Sequence, residues 1–373
     1  MRVKLKDIFD LQMGKTPSRS NLEYWNTTDY KWISIADLTK TSKYIFETKE
    51  YLSKSAIKDS GIKVIPANTV VMSFKLSIGK TAITKEDMYS NEAIMAFKDK
   101  HVINIIPEYI FYLFKYKNWE ECSNKAVMGK TLNKATLSEI EVEICSIEKQ
   151  RQIVNILDKI MSAVDGRKQE LQLLDELIKA RFVEMFGDPV KNPKGWEVVT
   201  IGDIVTEVRY GTSKPAVEGG KYPYLRMNNL TADGHLDLND LKYIDIPDDE
   251  IEKCVVRKGD VLFNRTNSIE LVGKTVVFDL QEDMIIAGYI IRVRLNKRLL
   301  PEILSQYMNL EALKDILRSM AKGAVNQANI NAQELQSIKV YIPDMELQKQ
   351  FIEMKNQVDK SKFDTMTFAP IYA

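Results

Sequence analysis

The sequence predicts an α+β protein in which two similar mixed α/β domains are joined by long helices that pair as an antiparallel coiled coil, with approximate two-fold symmetry. Three observations predict this fold class. A long run near the middle of the chain has the apolar spacing of a coiled-coil helix. Short strand-like runs with glycine and proline turns lie on both sides of it. Most of these runs occur twice, in the same order, at a spacing of about 195 residues.

The duplication divides the chain into four segments. Residues 1–146 are predicted to form the first domain and residues 188–343 the second, with a central helix over 147–187 and a short distal helix and tail over 344–373. A length of 373 residues suits two or three domains, and an apolar content of 45% is ample for their cores.

The first domain begins with a short element and a turn, and then contains several short β-type runs. A helix is predicted from Pro107 to about Asn124, because proline suits the first turn of a helix and apolar residues follow on one face. Strict alternation of apolar and acidic residues then predicts a strand over 140–144. The other predicted strands lie at 32–35, 64–65, 70–72 and 81–83.

The central helix is predicted from a heptad pattern over 147–186, in which Arg167 and Arg181 occupy two seam positions. A glycine and a proline after residue 186 end the helix. A second run over 345–362 repeats the same spacing and is predicted to be its antiparallel partner, covering part of the seam. The apolar seam residues of the central helix are Ile153, Leu157, Ile160, Val164, Leu171, Leu174, Ile178 and Met185.

The second domain repeats the first block by block. Chance agreement over so many ordered blocks is implausible, so two copies of one unit are predicted, each an α/β globule followed by a helix. The clearest matches are 5–8 with 201–204, 64–71 with 255–262, 77–82 with 271–276, 140–144 with 338–342 and 148–152 with 346–350.

The composition excludes several classes of protein. No run of about 20 apolar residues and no secretory signal is present, so a cytoplasmic protein without a membrane partner is expected. The cysteines Cys122, Cys145 and Cys254 form no Cys-x-x-Cys pair and are interpreted as structural thiols. With 53 basic and 52 acidic residues, a nucleic-acid surface requires local segregation of charge.

No catalytic or metal-binding residue is predicted. Gly-Lys-Thr triplets begin at Gly79, Gly129 and Gly273, but none has the second glycine of a nucleotide-binding loop five residues earlier. They are interpreted as turns that present a lysine to a phosphate. The two histidines, His101 and His235, lie near no plausible ligand or nucleophile.

DNA reading is predicted from polar residues on the loops at strand ends. The tips of the matching loops differ, at 73–76 and 264–267, as expected of two modules that recognise different targets. Arginine pairs with guanine, asparagine and glutamine pair with adenine, and lysine contacts phosphates. The alternative is a duplicated protein-interaction scaffold without DNA binding. The candidate DNA-binding residues are Lys75, Lys80, Asn91, Lys130, Asn133, Lys134, Arg226, Asn228, Asn229, Asn264, Arg265, Asn267, Lys274, Asn326 and Gln327.

In these features the chain resembles the DNA-specificity subunit of type I restriction-modification systems. The resemblance covers nearly the whole chain and rests on the order and duplication of motifs that are weak individually. The motifs are the paired starts 5–8 and 201–204, the strand 259–263 followed by 273–275, the helix entry 147–153, the helix exit 186–189 and the linker 192–196.

The resemblance implies two target-recognition domains that each read one half of a bipartite site in double-stranded DNA, with the helices setting the spacer. It implies a non-catalytic subunit that assembles with two modification (methyltransferase) subunits using S-adenosylmethionine and with restriction subunits using ATP and Mg²⁺. A type IIB-like system, in which the modification-type partner also cleaves, suits the same architecture. The short distal run departs from the family pattern, either exposing part of the central seam or marking a truncated allele.

Overall fold

The structure of the chain is a computed structural model that describes residues 1–75, 77–119, 132–324 and 327–367. The chain divides into two compact units, residues 1–164 and 165–373. The boundary lies inside the long central helix and not at its start. Both units combine helices with short strands, so the predicted mixed α/β class is confirmed.

The first unit contains ten strands and five complete helices within its described residues, and the central helix begins in it. Its strands are β1 (Arg2–Lys4), β2 (Phe9–Met13), β3 (Tyr30–Ile33), β4 (Tyr44–Ile45), β5 (Glu50–Leu52), β6 (Val70–Ser73), β7 (Thr81–Thr84), β8 (Tyr89–Ser90), β9 (Ile94–Asp99) and β10 (Glu141–Glu143). Its helices are α1 (Leu5–Ile8), α2 (Ile35–Lys40), α3 (Lys54–Ser60), α4 (Pro107–Lys115), α5 (Lys134–Glu139) and the central helix α6 (Ile147–Phe186).

The second unit contains thirteen strands and six helices within its described residues after the end of α6. Its strands are β11 (Glu197–Thr200), β12 (Val205–Tyr210), β13 (Tyr222–Leu225), β14 (Lys242–Ile244), β15 (Val255–Val256), β16 (Val261–Asn264), β17 (Thr266–Asn267), β18 (Thr275–Val277), β19 (Met284–Ile286), β20 (Ile290–Leu295), β21 (Lys322–Ala324), β22 (Gln327–Asn329) and β23 (Lys339–Ile342). Its helices are α7 (Ile201–Ile204), α8 (Asp248–Cys254), α9 (Pro301–Met308), α10 (Glu311–Met320), α11 (Ala332–Gln336) and α12 (Met345–Thr367).

The sheets of the two units have matching topologies. The largest sheet of the first unit has the order β2-β9-β6-β7-β4, and the corresponding sheet of the second unit has the order β12-β20-β16-β18. Each unit also has a second sheet in which one strand has an antiparallel neighbour on one side and a parallel neighbour on the other. This strand is β3 in the first unit and β13 in the second. Paired strands β1-β10 and β11-β23 close each unit. The predicted duplication is therefore confirmed in three dimensions.

Equivalent glycines mark the ends of equivalent strands. The Gly14 N–H donates to Ile94 O at 3.1 Å, and the Gly211 N–H donates to Ile290 O at 3.2 Å. A Cβ atom at either glycine would lie 2.1 Å from a backbone carbonyl oxygen, that of Asn91 or of Ile286. Because no side chain fits there, both turns require glycine, and the matching Gly-rich blocks of the sequence have a steric cause.

Some local predictions for the first unit were wrong. Strand β3 ends at Ile33 because the Ser34 hydroxyl and the Asp37 carboxylate form a capping box that begins α2. Helix α4 ends at Lys115, well before the predicted end near Asn124, a residue outside the described ranges. Of the run at 64–65, Ile65 forms a single bridge to Met88 and no extended strand.

The first half of α6 packs on the core of the first unit. The contacts come from Ile153, Val154, Leu157 and Met161, which are partly buried against that core. Ile160, predicted to lie in the heptad seam, is 41% exposed. This part of the helix follows the 3.6-residue period of a helix on a globular core, which favours Met161 over Ile160.

The second half of α6 pairs with α12. Phe182 and Phe186 are fully buried against Phe351 of α12, with ring centroids 5.2 and 5.6 Å from it. Farther from the end of α6, Asp175 accepts a hydrogen bond from Lys362 Nζ at 2.6 Å. Contact positions fall along α6 as they rise along α12, so the two helices are antiparallel, as predicted for this pair.

Helix α12 is longer than its sequence predicts. It continues beyond the predicted end at Lys362 to Thr367. The Lys362 side chain is 9% exposed, and its ammonium group is held between Asp175 and Asp359 at 2.6 and 3.0 Å. The residue at which the apolar pattern fades is therefore an anchoring contact between the helices.

Each long helix begins with the same buried glutamine clamp. Gln150 accepts a hydrogen bond from the Ile106 N–H and donates to the carbonyls of Asn104 and Cys145, at 2.9 to 3.0 Å. Gln348 makes the equivalent bonds in the second unit: it accepts a hydrogen bond from the Leu300 N–H and donates to the carbonyls of Arg298 and Pro343. The matching 148–152 and 346–350 blocks thus fix the direction in which each helix leaves its own unit.

Candidate nucleic-acid interface

Both units support a variable hairpin loop on the same backbone frame. In the second unit the Asn264 N–H donates to Lys274 O and the Gly273 N–H donates to Asn264 O, at 2.8 and 2.9 Å. Ser73 makes the corresponding pair of bonds with Lys80 and Gly79 in the first unit, both at 2.9 Å. The enclosed loops differ in length, since five residues (74–78) lie within the first frame and eight (265–272) within the second.

Three predicted contact residues are buried and hold the loops in place. Asn264 is fully buried, and its amide donates to the carbonyls of Thr266 and Tyr289. Lys274 is 7% exposed and donates to the Met227 and Leu230 carbonyls, while burial lowers the pKa of its ammonium group. Asn229 is buried as the N3 residue of a capping box. The interpretation of Gly273 to Thr275 as a turn that presents its lysine is thus corrected.

In the second unit, the accessible polar groups of the hairpin loop lie around Arg265, which is partly exposed. Its guanidinium carbon lies 5.0 Å from the centroid of the Tyr210 ring, and Nη2 donates to Asn329 Oδ1 at 3.0 Å. Tyr289, whose carbonyl accepts the Arg265 N–H at 3.0 Å, is 51% exposed. Asn267 lies on the same loop and donates to Asn264 Oδ1 at 2.9 Å.

Arg226 and Asn228 lie on a separate turn of the second unit. Arg226 Nη2 donates to Asp240 Oδ2 at 2.7 Å, so a phosphate would have to compete with this carboxylate. Asn228 is exposed. Asn326 lies outside the described residues, and Gln327 is described only as the first residue of β22.

The first unit gathers a smaller set of predicted residues beside its loop. The Leu132 N–H donates to Phe74 O at 3.2 Å, which places the exposed Asn133 and Lys134 next to Lys75. Asn133 also caps α5 by accepting a hydrogen bond from the Thr136 N–H. Lys80 is partly buried at the base of the hairpin, Asn91 accepts a hydrogen bond from the Ala93 N–H at 3.0 Å, and Lys130 lies outside the described residues.

The two frames carry different side chains at equivalent positions. The Phe74 N–H donates to Ala93 O at 2.9 Å, and the Arg265 N–H donates to Tyr289 O at 3.0 Å. The strand that ends at Tyr210 ends at Met13 in the first unit. Where the second unit has Arg265, Tyr289 and Tyr210, the first unit therefore has Phe74, Ala93 and Met13. The alignment of the two loops identified Arg265, but Tyr210 and Tyr289 were missed because they stand on other strands and turns.

A buried lysine donates a hydrogen bond to the residue that closes the second hairpin loop. Lys314 of α10 donates to Gly273 O at 2.6 Å and to Asn309 Oδ1 at 2.9 Å. Removal from water disfavours its charged form and lowers the pKa of Lys314 to about 8. Because Gly273 closes the hairpin, the charge of Lys314 is coupled to the base of the candidate interface.

We expect the stability of the second unit to depend on the protonation of Lys314. Its pKa is about 8 in the folded chain and near 10.5 in the unfolded chain, so the unfolded chain binds more protons between these values. The contribution of this group to stability therefore rises as pH increases from 8 to 10.5. In urea denaturation, the free energy of unfolding of wild type relative to Lys314→Met should increase by up to about 3 kcal/mol across this window. A difference that stays constant with pH would contradict the assignment.

No group of histidine, cysteine, aspartate and glutamate residues within the described ranges could hold a metal ion. In the same part of the chain, no helix is long and apolar enough to cross a membrane. Cys145 and Cys254 are free thiols, and Cys122 lies outside the described residues.

Comparison with known proteins adds a family match over most of the chain. A family model described as the type I restriction modification DNA specificity domain matches twice, over residues 1–176 and 193–369. The two matches correspond to the two copies of the duplicated unit.

Two relatives are named as specificity subunits of type I restriction enzymes. The specificity subunit of the type I restriction enzyme MjaIX from Methanocaldococcus jannaschii is 30% identical over 250 residues, which cover 61% of this chain and 57% of the relative. The EcoKI specificity subunit from Escherichia coli K12 is 26% identical over 259 residues, which cover 65% of this chain and 56% of the relative. The matched regions thus span little more than half of the length of these relatives.

Solved structures support the fold. A chain from a study of complex assembly and conformational transition of the type I R-M system superposes with a TM-score of 0.58 and 18% identity, covering 99% of this chain and 93% of that one. The type I restriction-modification S subunit from M. genitalium gives a TM-score of 0.50 and 13% identity, covering 98% and 91%.

Proposed function

Because this chain belongs to the family of type I restriction-modification DNA specificity proteins, we propose that it is the non-catalytic subunit that selects the DNA sequence in such a complex. Each domain would read one half of a bipartite site in double-stranded DNA, and the long helices would set the spacer between the halves. Methylation and cleavage would reside in partner subunits.

One observation carries the proposal. Two units share their sheet order, their strand-end glycines and their hairpin frames, yet they differ in the length and chemistry of the enclosed loops. A shared scaffold with unlike loops is what reading two different half-sites requires. A scaffold that bound two identical protein partners would have no reason to place Arg265 where the other copy has the buried Phe74.

The proposed partners follow from the family. They are two modification subunits that bind S-adenosylmethionine and methylate DNA, and restriction subunits that use ATP and Mg²⁺. A type IIB-like complex, in which one partner both methylates and cleaves, would use the same specificity chain. This chain would itself bind no cofactor.

The proposed DNA contacts are the candidate residues that retain solvent-exposed polar groups. The buried Asn229, Asn264 and Lys274 would support these contacts without touching DNA. The proposed contact set is Lys75, Lys80, Asn91, Asn133, Lys134, Arg226, Asn228, Arg265 and Asn267, with Lys130, Asn326 and Gln327 as further candidates from the sequence.

Salt dependence of DNA binding tests the proposal directly. The chain with its modification partner should bind a duplex that contains its site, and the affinity should fall steeply between 50 and 200 mM salt, by about 10³-fold if six phosphates are contacted. Protein partners alone would give no such slope. Absence of duplex binding at low salt, with the partner present, would contradict a specificity subunit and favour a protein-interaction scaffold.

Domain exchange tests the assignment of one half-site to each unit. Replacing residues 1–146 by the corresponding domain of another specificity subunit should change one half of the methylated sequence and leave the other half and the spacer unchanged. The readout is the set of methylated adenines in cells that express the exchanged chain. A change in both halves would contradict the modular assignment.

A further inference from the structure

We propose that Arg265, Tyr210 and Asn329 form a preorganised site in the second unit that reads one guanine of the half-site. This inference rests on the proposed function and deepens it, since it names the base and the residues that position the reader. Arg265 is the specificity-determining residue, and Tyr210 and Asn329 are positioning residues.

Arg265 is the exception among the arginines of its domain. Between residues 188 and 343 there are eight arginines. Among the described residues, each of the other seven has a carboxylate partner within 4.0 Å, whereas Arg265 has none. The paired arginines are Arg209, Arg226, Arg257, Arg292, Arg294, Arg298 and Arg318. Their guanidinium groups are neutralised within the domain, and that of Arg265 remains available to an external acceptor.

The backbone of Arg265 is fixed on both sides. Its N–H donates to Tyr289 O at 3.0 Å, and its carbonyl accepts from the Ile330 N–H at 2.9 Å. The next residue, Thr266, pairs with Asn329 in the register of β17 and β22. The point from which the side chain leaves the loop is therefore set by the sheet framework.

The side chain is positioned by two groups that are themselves held. The Tyr210 ring lies under the guanidinium group at 5.0 Å, and the Tyr210 hydroxyl oxygen accepts a hydrogen bond from the Ala332 N–H at 2.8 Å. Asn329 Oδ1 accepts from Nη2 at 3.0 Å. A guanidinium group held between a fixed ring and a fixed side-chain oxygen has fewer accessible orientations than a freely rotating surface side chain.

The remaining donors suit a base edge. Within the described residues Nη2 is the one guanidinium nitrogen with a hydrogen-bond partner, and Nε is buried without one. The unpaired Nη1 and the second N–H of Nη2 form a fork that matches the O6 and N7 acceptors of guanine in the major groove. The same fork also fits a phosphate, so the library selection separates the two contacts: a base contact changes the preference at one base pair, and a phosphate contact changes the affinity for all duplexes alike.

The first unit lacks the same site. Phe74 occupies the position of Arg265 and is 1% exposed, and Met13 occupies the position of Tyr210. Neither side chain donates a hydrogen bond. The guanine is therefore assigned to the half-site read by the second unit.

The test is selection of duplexes from a randomised library by the full chain in complex with its modification partner. Wild type should enrich a bipartite site with a guanine in the second half. Arg265→Lys keeps the charge but removes the fork, so preference for that one base pair should fall about 5- to 150-fold while the first half-site is unchanged. Tyr210→Ala should weaken the same preference, and Tyr210→Phe, which retains the ring, should weaken it less.

Arg209→Ala is the matched control. Arg209 precedes Tyr210 on β12 and is paired with Glu207 at 3.1 Å, so its loss should leave the selected sequence unaltered. An unchanged first half-site shows that each variant is folded and assembled.

Three outcomes would overturn the site. One is a wild-type second half-site without guanine, and another is an equal loss of affinity for all duplexes in Arg265→Lys with the guanine preference intact. The third is loss of the preference in Arg209→Ala as well. Failure of the wild-type complex to enrich any sequence is distinct from these, since it would remove the proposed function itself.

Discussion

Replacing Gln348 by alanine is expected to destabilise the second unit by about 3 kcal/mol or more, because one buried and two partly buried backbone groups lose their hydrogen-bond partner at about 1 kcal/mol or more each. Gln348 is fully buried, accepts from the Leu300 N–H at 2.9 Å, and donates to the carbonyls of Arg298 and Pro343 at 3.1 and 2.8 Å. Hydrogen exchange of peptides from residues 165–373, followed by mass spectrometry, measures the loss in the unit concerned.

The chain supplies the control for this substitution two residues away. Gln350 belongs to the same duplicated motif and is exposed, so Gln350→Ala should change stability by no more than about 0.5 kcal/mol. Gln150→Ala and the exposed Gln152→Ala repeat the comparison in the first unit. Equal effects of the buried and exposed replacements would show that the clamp contributes no stability.

Replacing Phe182 by alanine should cost about 3 to 5 kcal/mol, since it removes a buried aromatic ring and leaves a cavity between two helices. Phe182 is fully buried, with ring centroids 4.7 Å from Phe186 and 5.2 Å from Phe351. The same substitution should increase hydrogen exchange along α12, because that helix is held to α6 at this cluster and at the Lys362–Asp175 pair.

Leu177→Ala is the control on the same helix. Leu177 is 44% exposed, so its truncation should cost much less than that of Phe182. Thermal unfolding of the two variants, followed by circular dichroism at 222 nm, gives the comparison. Similar midpoints for both would mean that the aromatic cluster does not hold α12 in place.

The fold was predicted well wherever a pattern occurred twice. The duplication predicted two copies of one α/β unit, each followed by a long helix, because two independent copies of a weak motif reinforce each other. Errors arose where a tertiary contact decided the local structure. Ser34 begins a helix inside a strand-like run, and Met161 replaces Ile160 on the buried face, since the mixed core of the first unit lies against this part of the helix.

The candidate site was predicted less completely, for a physical reason. Sequence position shows which residues belong to a loop but not which of them point inward. Asn264 and Lys274 have the polar groups of DNA contacts, but these groups donate hydrogen bonds to backbone carbonyls of their own unit. Tyr210 contributes to the site from a strand more than fifty residues away in sequence, so no local motif could include it.

The hairpin frame has a consequence for how such proteins diversify. The bonds that close each loop join main-chain atoms, at Ser73 with Lys80 and Gly79 and at Asn264 with Lys274 and Gly273. Main-chain bonds of this kind do not depend on the side chains between them, so enclosed segments of different length and sequence fit the same frame. Each frame therefore separates the scaffold, which the two units share, from the loop sequence, in which they differ.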